Sequence, residues 1–173
     1  RGLQPGGLPE AREERLMGAV EQRLAEAGVE LPPAPQPVAV YVPATEHAGL
    51  VYTSGQLPVV DGTLAGTGVV GEGDGDVTPE RAAELARICA VNALAAAKSV
   101  VGDLDRIERV VKVVGFVASQ PGFTGQPAVV NGASELMGTA FGEAGEHARS
   151  AVGVAALPLG APVEVEVVLA VRS

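Results

Sequence analysis

With 173 residues, 47% of them hydrophobic but only 3% aromatic, the chain has the size of one domain with a core of Val, Leu and Ala. A formal net charge of −9 argues against nucleic acid or an anionic membrane surface as a partner, since both call for a basic face. Cys89 has no second cysteine to pair with, which excludes a disulfide framework and points to the cytoplasm, and no apolar run approaches the ~18 residues of a membrane span.

Residues 1–12 are rich in Gly and Pro and read as disordered, or as a remnant foreign to the natural protein, with Met17 as an alternative start. The charges between Glu10 and Arg15 precede no apolar stretch, unlike a signal peptide. From Glu13 to Ala27, the spacing of Leu16, Val20 and Leu24 predicts an amphipathic helix ended by Gly28. Pro32, Pro33, Pro35 and Pro37 make the following stretch an extended linker. Residues 13–37 thus form a helix and linker appended to a domain over 38–173.

In that domain, Val38 to Val42 reads as a short strand, Thr45 to Gly49 as a hairpin loop and Leu50 to Ser54 as a second strand. Gly55 permits close backbone approach, Asp61-Gly62 signals a turn, and Thr63 to Val70 has room for one more strand. Thr78-Pro79 starts a helix that runs to about Val101 and stops at Gly102-Asp103. Ile107 to Ala118 is a long strand whose Val110-Val111 and Val113-Val114 pairs suggest burial on both faces. Pro127 to Phe141 keeps a helical period. The chain closes with His147 to Val171, read as a hairpin of two strands around Leu157-Pro158-Leu159-Gly160-Ala161-Pro162. Arg149 opens its first strand, and Glu164 and Glu166 share one face of the second. The element order is that of an α+β fold: one mixed sheet with two helices on one face. The other face, rich in valine, is expected to be covered by self-association.

Several motifs carry little. Gly66 to Gly71 matches GxGxxG but is followed by an acidic loop rather than a helix. Glu72, Asp74 and Asp76 lack the length and closing Glu of a calcium loop. Cys89 falls on an apolar helix face and reads as a packed thiol. His47 and His147 have no partner at metal-ligand spacing, so no metal site is expected. Ser54 and Ser150 have no evident base.

Other residues carry a likeness. Tyr41-Val42, Thr53 to Pro58, Val111-Lys112, Phe116-Val117, Asn131, Ala148-Arg149-Ser150, Leu157-Pro158 and Val163 to Glu166 occur in order, with Tyr41 thirteen residues before Ser54. Over about Val38 to Arg172 the chain resembles the Rid family of reactive-intermediate deaminases, the YjgF-like proteins, also called endoribonuclease L-PSP. The N-terminal helix, Asn131 to Ser134 and His147 look like a longer-chain branch, often labelled chorismate mutase-like on fold grounds.

The resemblance implies a homotrimer: three sheets around a central barrel, helices outside, and three clefts between subunits. It implies that Arg149 binds the carboxylate of a 2-imino or 2-enamino acid, while Glu164 positions a water and shuttles protons. Tyr41 would close the pocket, and Ser54, Gly55, Phe123, Asn131 and the backbone of Ala151 would line it. No cofactor is implied. Ala151 stands where the family usually has Cys, and Glu146-His147 where it has Phe-Pro, a change that bears on pocket shape. The expected activity is hydrolysis of 2-imino acids to 2-oxo acids and ammonia. The alternative is a non-catalytic module that binds a carboxylate metabolite; ribonuclease and chorismate mutase activities fit less well.

Overall fold

The computed structural model describes residues 17–36 and 40–172. Residues 1–16, 37–39 and 173, including the expected disordered leader and the start of the expected helix at Glu13, lie outside the described residues. The first helix, α1, spans Ala19–Glu26 and buries Val20 and Leu24. Residues 31–36 follow without regular structure.

The main sheet contains β1 (Ala44–His47), β2 (Leu50–Thr53), β5 (Ile107–Ala118), β6 (Ala148–Val154) and β7 (Val163–Val171). Their spatial order is β1-β2-β7-β5-β6. A two-stranded ribbon, β3 (Val59–Val60) and β4 (Thr63–Leu64), turns at Asp61-Gly62, as the sequence suggested. Two long helices, α2 (Pro79–Val101) and α3 (Gln126–Phe141), pack on one face of the sheet. The expected α+β architecture is therefore the one observed.

Local chemistry accounts for α2. The Thr78 hydroxyl accepts the Arg81 N–H at 3.2 Å, Pro79 occupies the first turn, and Gly102 ends the helix at φ 77°. Ala82, Ala86, Ala90, Ala93 and Ala97 are buried, and their small side chains let the helix lie close to the sheet. Leu85 and Leu94 are fully buried beside them, each worth about 2 kcal/mol of apolar burial.

Three expectations need correction. The C-terminal strands do not form a hairpin, because β5 lies between them, parallel to β6 and antiparallel to β7. Alternate residues of β7 are buried from Val163 to Val171, so β7 takes an inner position with partners on both sides. The more polar β6 is left at the edge, reached by a β5-α3-β6 crossover.

Among the described residues the first strand starts at Ala44, just after Pro43; of the expected Val38–Val42 strand, Val40 to Val42 lie outside it and are exposed, and Val38 lies outside the described residues. Glu46 and His47 belong to the strand, and the reversal is made by Ala48 and Gly49 alone, both at positive φ (51° and 76°). Tyr41 therefore stands before the sheet, in irregular backbone.

The long strand is not buried on both faces within one chain. Val110, Val113 and Val117 are buried, whereas Val111 sits at a register shift, 37% exposed. Val114 and Phe116 are half-buried on the side away from the helices. The appended helix α1 is docked on the outside of the fold. Its first N–H groups, from Ala19 and Val20, donate to the Asp105 carboxylate at 2.8 and 2.9 Å. Arg23 Nε donates to the Ala140 carbonyl at 2.8 Å, and Lys98 pairs with Glu21.

Candidate functional site

Arg149 and Glu164, the two expected catalytic residues, stand in separate settings. Arg149 pairs in register with Val113 of β5, whose side chain is buried under the helices. Side chains alternate across a strand, so Arg149 leans to the helix side at the open edge of the sheet. Its Nη1 donates to Asn131 Oδ1 at 2.7 Å and to Ser134 Oγ at 3.2 Å. Both acceptors belong to α3, three residues apart and so on one helix face. Arg149 forms no ion pair among the described residues. The Nε–Nη2 edge of its guanidinium likewise has no protein acceptor among them. A half-buried guanidinium held through one nitrogen has the chemistry to present its other edge to a carboxylate or a similar planar anion.

Glu164 pairs in register with Phe116 and faces away from the helices, with Glu166 two residues along beside Val114. The loop after β2 covers it. Gln56 exchanges two backbone hydrogen bonds with Val165, at 2.8 and 3.0 Å, which fixes Gly55 directly against the Glu164 carboxylate. A Cβ at position 55 would collide with Glu164 Oε1, so a side chain there is incompatible with this carboxylate position. Burial, and secondly the charge of Glu166, push the Glu164 carboxyl above its ordinary value. A carboxyl raised in this way holds a proton more readily than an exposed glutamate and can pass it to a neighbouring group.

Beside Gly55 opens a cleft of about 520 Å³, walled by Pro32, Pro33, Tyr41, Gln56 and Asn92 among others. Tyr41 is 57% exposed at its rim. Ser54 donates its hydroxyl to the Val42 carbonyl at 2.6 Å, which ties the Tyr41 segment to the Gly55 loop. Asn92 of α2 donates to the carbonyls of Leu57 and Val59, both at 3.0 Å, and so anchors the same loop from below.

The sequence-predicted residues thus fall into separate groups. Tyr41, Ser54, Gly55 and Glu164 gather at the Gly55 loop. Arg149 and Asn131 meet at the β6 edge. Ala151 lies two residues along β6 from Arg149, half-buried against the core. Phe123 packs against the core from the loop ahead of α3. Cys89 is fully buried, its Sγ 3.6 Å from the Val163 carbonyl, and burial, reinforced by the charge of Glu164, pushes its thiol well up. It is a packing residue, as expected. Gly66 to Gly71 form a loop whose Val70 bridges to Val77 and Ser119, and α2 begins only at Pro79, so no helix opens directly after Gly71 to hold a phosphate.

Two contacts to this region went unassigned in the sequence: Ser134 on Arg149, and His147, whose Nε2 is 2.9 Å from Ser134 Oγ. The signal was present. Ser134 stands one helical turn from Asn131, and His147 two residues before Arg149, on the same side of an extended chain.

Comparison with known proteins gives this geometry its setting. The family model described as endoribonuclease L-PSP matches residues 31–171, most of the chain. The chain belongs to this family. Its match reaches back over the proline-rich segment, past the Val38 limit of the sequence resemblance. Protein TCP17 of Trypanosoma cruzi is 43% identical over 150 residues, covering 86% of this chain and 92% of that protein. The crystal structure of Atu1372 from Agrobacterium tumefaciens, a protein of unknown function, superposes with a TM-score of 0.81 at 47% identity, covering 88% of this chain and 92% of that one. The L-PSP fold also relates the chain to E. coli TdcF with bound serine, at a TM-score of 0.54 and 26% identity, over 81% of this chain and 94% of that one. No helix among the described residues is long and apolar enough to cross a membrane.

Proposed function

We propose that this L-PSP family member hydrolyses 2-imino and 2-enamino acids to 2-oxo acids and ammonia, at clefts formed between copies of the chain. The observation that carries the reading is the guanidinium of Arg149, anchored through Nη1 on α3 with its Nε–Nη2 edge open. That edge matches a carboxylate in a bidentate fit. The related TdcF structure holds serine, a small molecule with such a carboxylate.

Arg149 and Glu164 lie on opposite faces of one sheet, so a single chain does not present them to one substrate. A neighbouring copy resolves this if its Gly55 loop meets the open β6 edge. The exposed apolar side chains of Tyr52, Val111 and Val152, with half-buried Val114 and Phe116, support burial of the outer sheet face in a homotrimer.

In such a cleft Arg149 of one copy fixes the carboxylate, so that C2 faces a water beside Glu164 of the next. Glu164 takes a proton as the water oxygen bonds to C2. It returns that proton to nitrogen, and then accepts the remaining hydroxyl proton as the C2–N bond breaks, the C2 carbonyl forms and ammonia leaves. Nothing is oxidised or reduced, and the residues named suffice without a cofactor. Iminium acids hydrolyse unaided, so positioning and one proton shuttle are adequate catalysis. Tyr41, Ser54, Gly55, Asn131 and the Ala151 backbone line the cleft, and Phe123 backs it. A solvent-borne metabolite and this chain's own copies are the partners required, which fits a cytoplasmic protein.

An amino-acid oxidase coupled to limiting protein, with 2-oxo acid and ammonia followed over time, tests the reading. Acceleration lost in Arg149→Ala is expected. Tight 2-oxo acid binding without acceleration would instead make the chain a carboxylate-binding module, a reading favoured by the separation of Arg149 from Glu164 within one chain. RNA cleavage that disappears in Arg149→Ala would overturn both. The net charge of −9 opposes that outcome.

A further inference from the structure

The Arg149 anchor continues beyond α3. His147 Nδ1 lies 2.5 Å from the Gly145 carbonyl and its Nε2 2.9 Å from Ser134 Oγ. A carbonyl only accepts, so Nδ1 carries the hydrogen, and in the neutral ring Nε2 is then an acceptor. The Ser134 hydroxyl must therefore donate to His147. Its lone pairs are turned to accept from Arg149 Nη1 at 3.2 Å. Every donor and acceptor in the run from Arg149 through Ser134 and His147 to Gly145 is assigned in one direction.

We infer that Ser134 and His147 are positioning residues, which set the plane of the Arg149 guanidinium and so determine how well the site binds a carboxylate. The inference rests on the carboxylate-binding reading of Arg149. Nη1 has two hydrogens, taken by Asn131 Oδ1 and Ser134 Oγ. One such bond leaves a planar group free to swing about it; two fix the direction of the open Nε–Nη2 edge. Asn131 supplies the first through a carbonyl-type oxygen that accepts whatever its surroundings. Ser134 supplies the second reliably only when its own hydrogen is directed elsewhere, and His147 provides that direction. The His147 ring is itself held by the Gly145 carbonyl, in the short 3-10 turn that follows α3. Other charged groups nearby are solvent-exposed: Glu135 on α3, Glu143 and Glu146 in or after the turn, and Arg109 and Lys112 on β5. Of these, Arg109 donates to the Glu146 carbonyl at 3.3 Å, and none forms a hydrogen bond to Ser134 or His147.

The test measures the Kd of pyruvate, as the simplest 2-oxo acid, and KM and kcat for imine hydrolysis. The proteins are the wild-type full chain, Arg149→Ala, Ser134→Ala, Ser134→Thr and His147→Ala. Ser134→Ala and His147→Ala are expected to raise Kd and KM about tenfold, the factor of one ordinary hydrogen bond, with kcat nearly unchanged. Ser134→Thr retains the hydroxyl and is expected to restore wild-type values. Wild-type Kd in Ser134→Ala and His147→Ala, with binding lost in Arg149→Ala, would overturn the positioning role and leave the carboxylate reading standing. Wild-type Kd in Arg149→Ala would end the carboxylate reading and this inference with it. Equal loss in Ser134→Ala and Ser134→Thr, or a fall in kcat alone, would also overturn it. So would covalent capture of Ser134 by a fluorophosphonate, which would mark a nucleophile.

Discussion

Arg149 and Glu164 lie on opposite faces of the same sheet, two strands apart, with β5 between β6 and β7. Arg149 reaches toward α3 and Glu164 away from both long helices. No rotamer brings the two onto one small substrate through a packed sheet. Any chemistry that needs both must draw them from different copies of the chain.

A mixing experiment reads this directly. Arg149→Ala and Glu164→Gln are each expected to lose imine hydrolysis when pure. Arg149→Lys should fail nearly as badly, because an ammonium cannot reproduce the fork. Unfolded together and refolded as a mixture, the first two should regain about a quarter of wild-type activity, the chance that a shared cleft draws each intact residue from the opposite parent. No regain above the separate proteins would show that the two residues act in one chain, or not together.

The outer sheet face carries its own prediction. Val152 is 44% exposed and Tyr52 43%, on strands whose opposite sides are packed under helices. If this face is buried between copies, Val152→Asp places a charge in an apolar contact and should reduce the mass from trimer to monomer by light scattering. A wild-type protein that is monomeric at micromolar concentration would count against the cleft as well as the trimer.

Glu164 should also leave a mark on stability. Its carboxyl is raised above the ordinary 4.5 by burial first and by Glu166 second, so folding favours its protonated form. Its contribution is full below 4.5 and declines as pH rises through the raised value. Glu164→Gln removes that decline. Thermal melts should show the variant equal to wild type at acid pH and about 1–2 °C more stable at pH 7, a small gain because solvent screens a half-buried group. A variant less stable at pH 7 would mean that Glu164 holds the fold together.

Asp105 works with the opposite sign. The Val20 N–H first, then the Ala19 N–H, with Arg23 and Arg172 nearby, hold its carboxyl below the ordinary 3.8 against the opposing effect of burial. The stability it supplies is present above 3.8 and lost as pH falls through the lowered value. Because it caps α1 from 85 residues away, Asp105→Ala should cost about 1 kcal/mol, as other lost N-caps do. Amide exchange should accelerate at Ala19, Val20 and the rest of α1, while β5 and β7 stay protected. Uniform loosening would show that α1 and the sheet unfold as one unit.

The sequence by itself determined what depends on neighbours along the chain. The Thr78-Pro79 start and Gly102 stop of α2, the span of β5 and the alternation of β7 follow from caps, β-branched runs and a side-chain period of two, all local signals. Family membership was also legible, because the likeness noted from Val38 to Arg172 falls within the stretch that the L-PSP family model matches, apart from its last residue. Which strand lies beside which was decided only by tertiary structure. His147 to Val171 resembles a hairpin because its two strands are consecutive, yet pairing depends on how much each strand buries. The alternately buried β7 took the inner place and polar β6 the edge. That choice put Arg149 and Glu164 on opposite faces. It also brought His147, Ser134 and Arg149 into one hydrogen-bonded run, because α3 packs beside the edge strand and meets side chains that lie 13 and 15 residues away in the sequence.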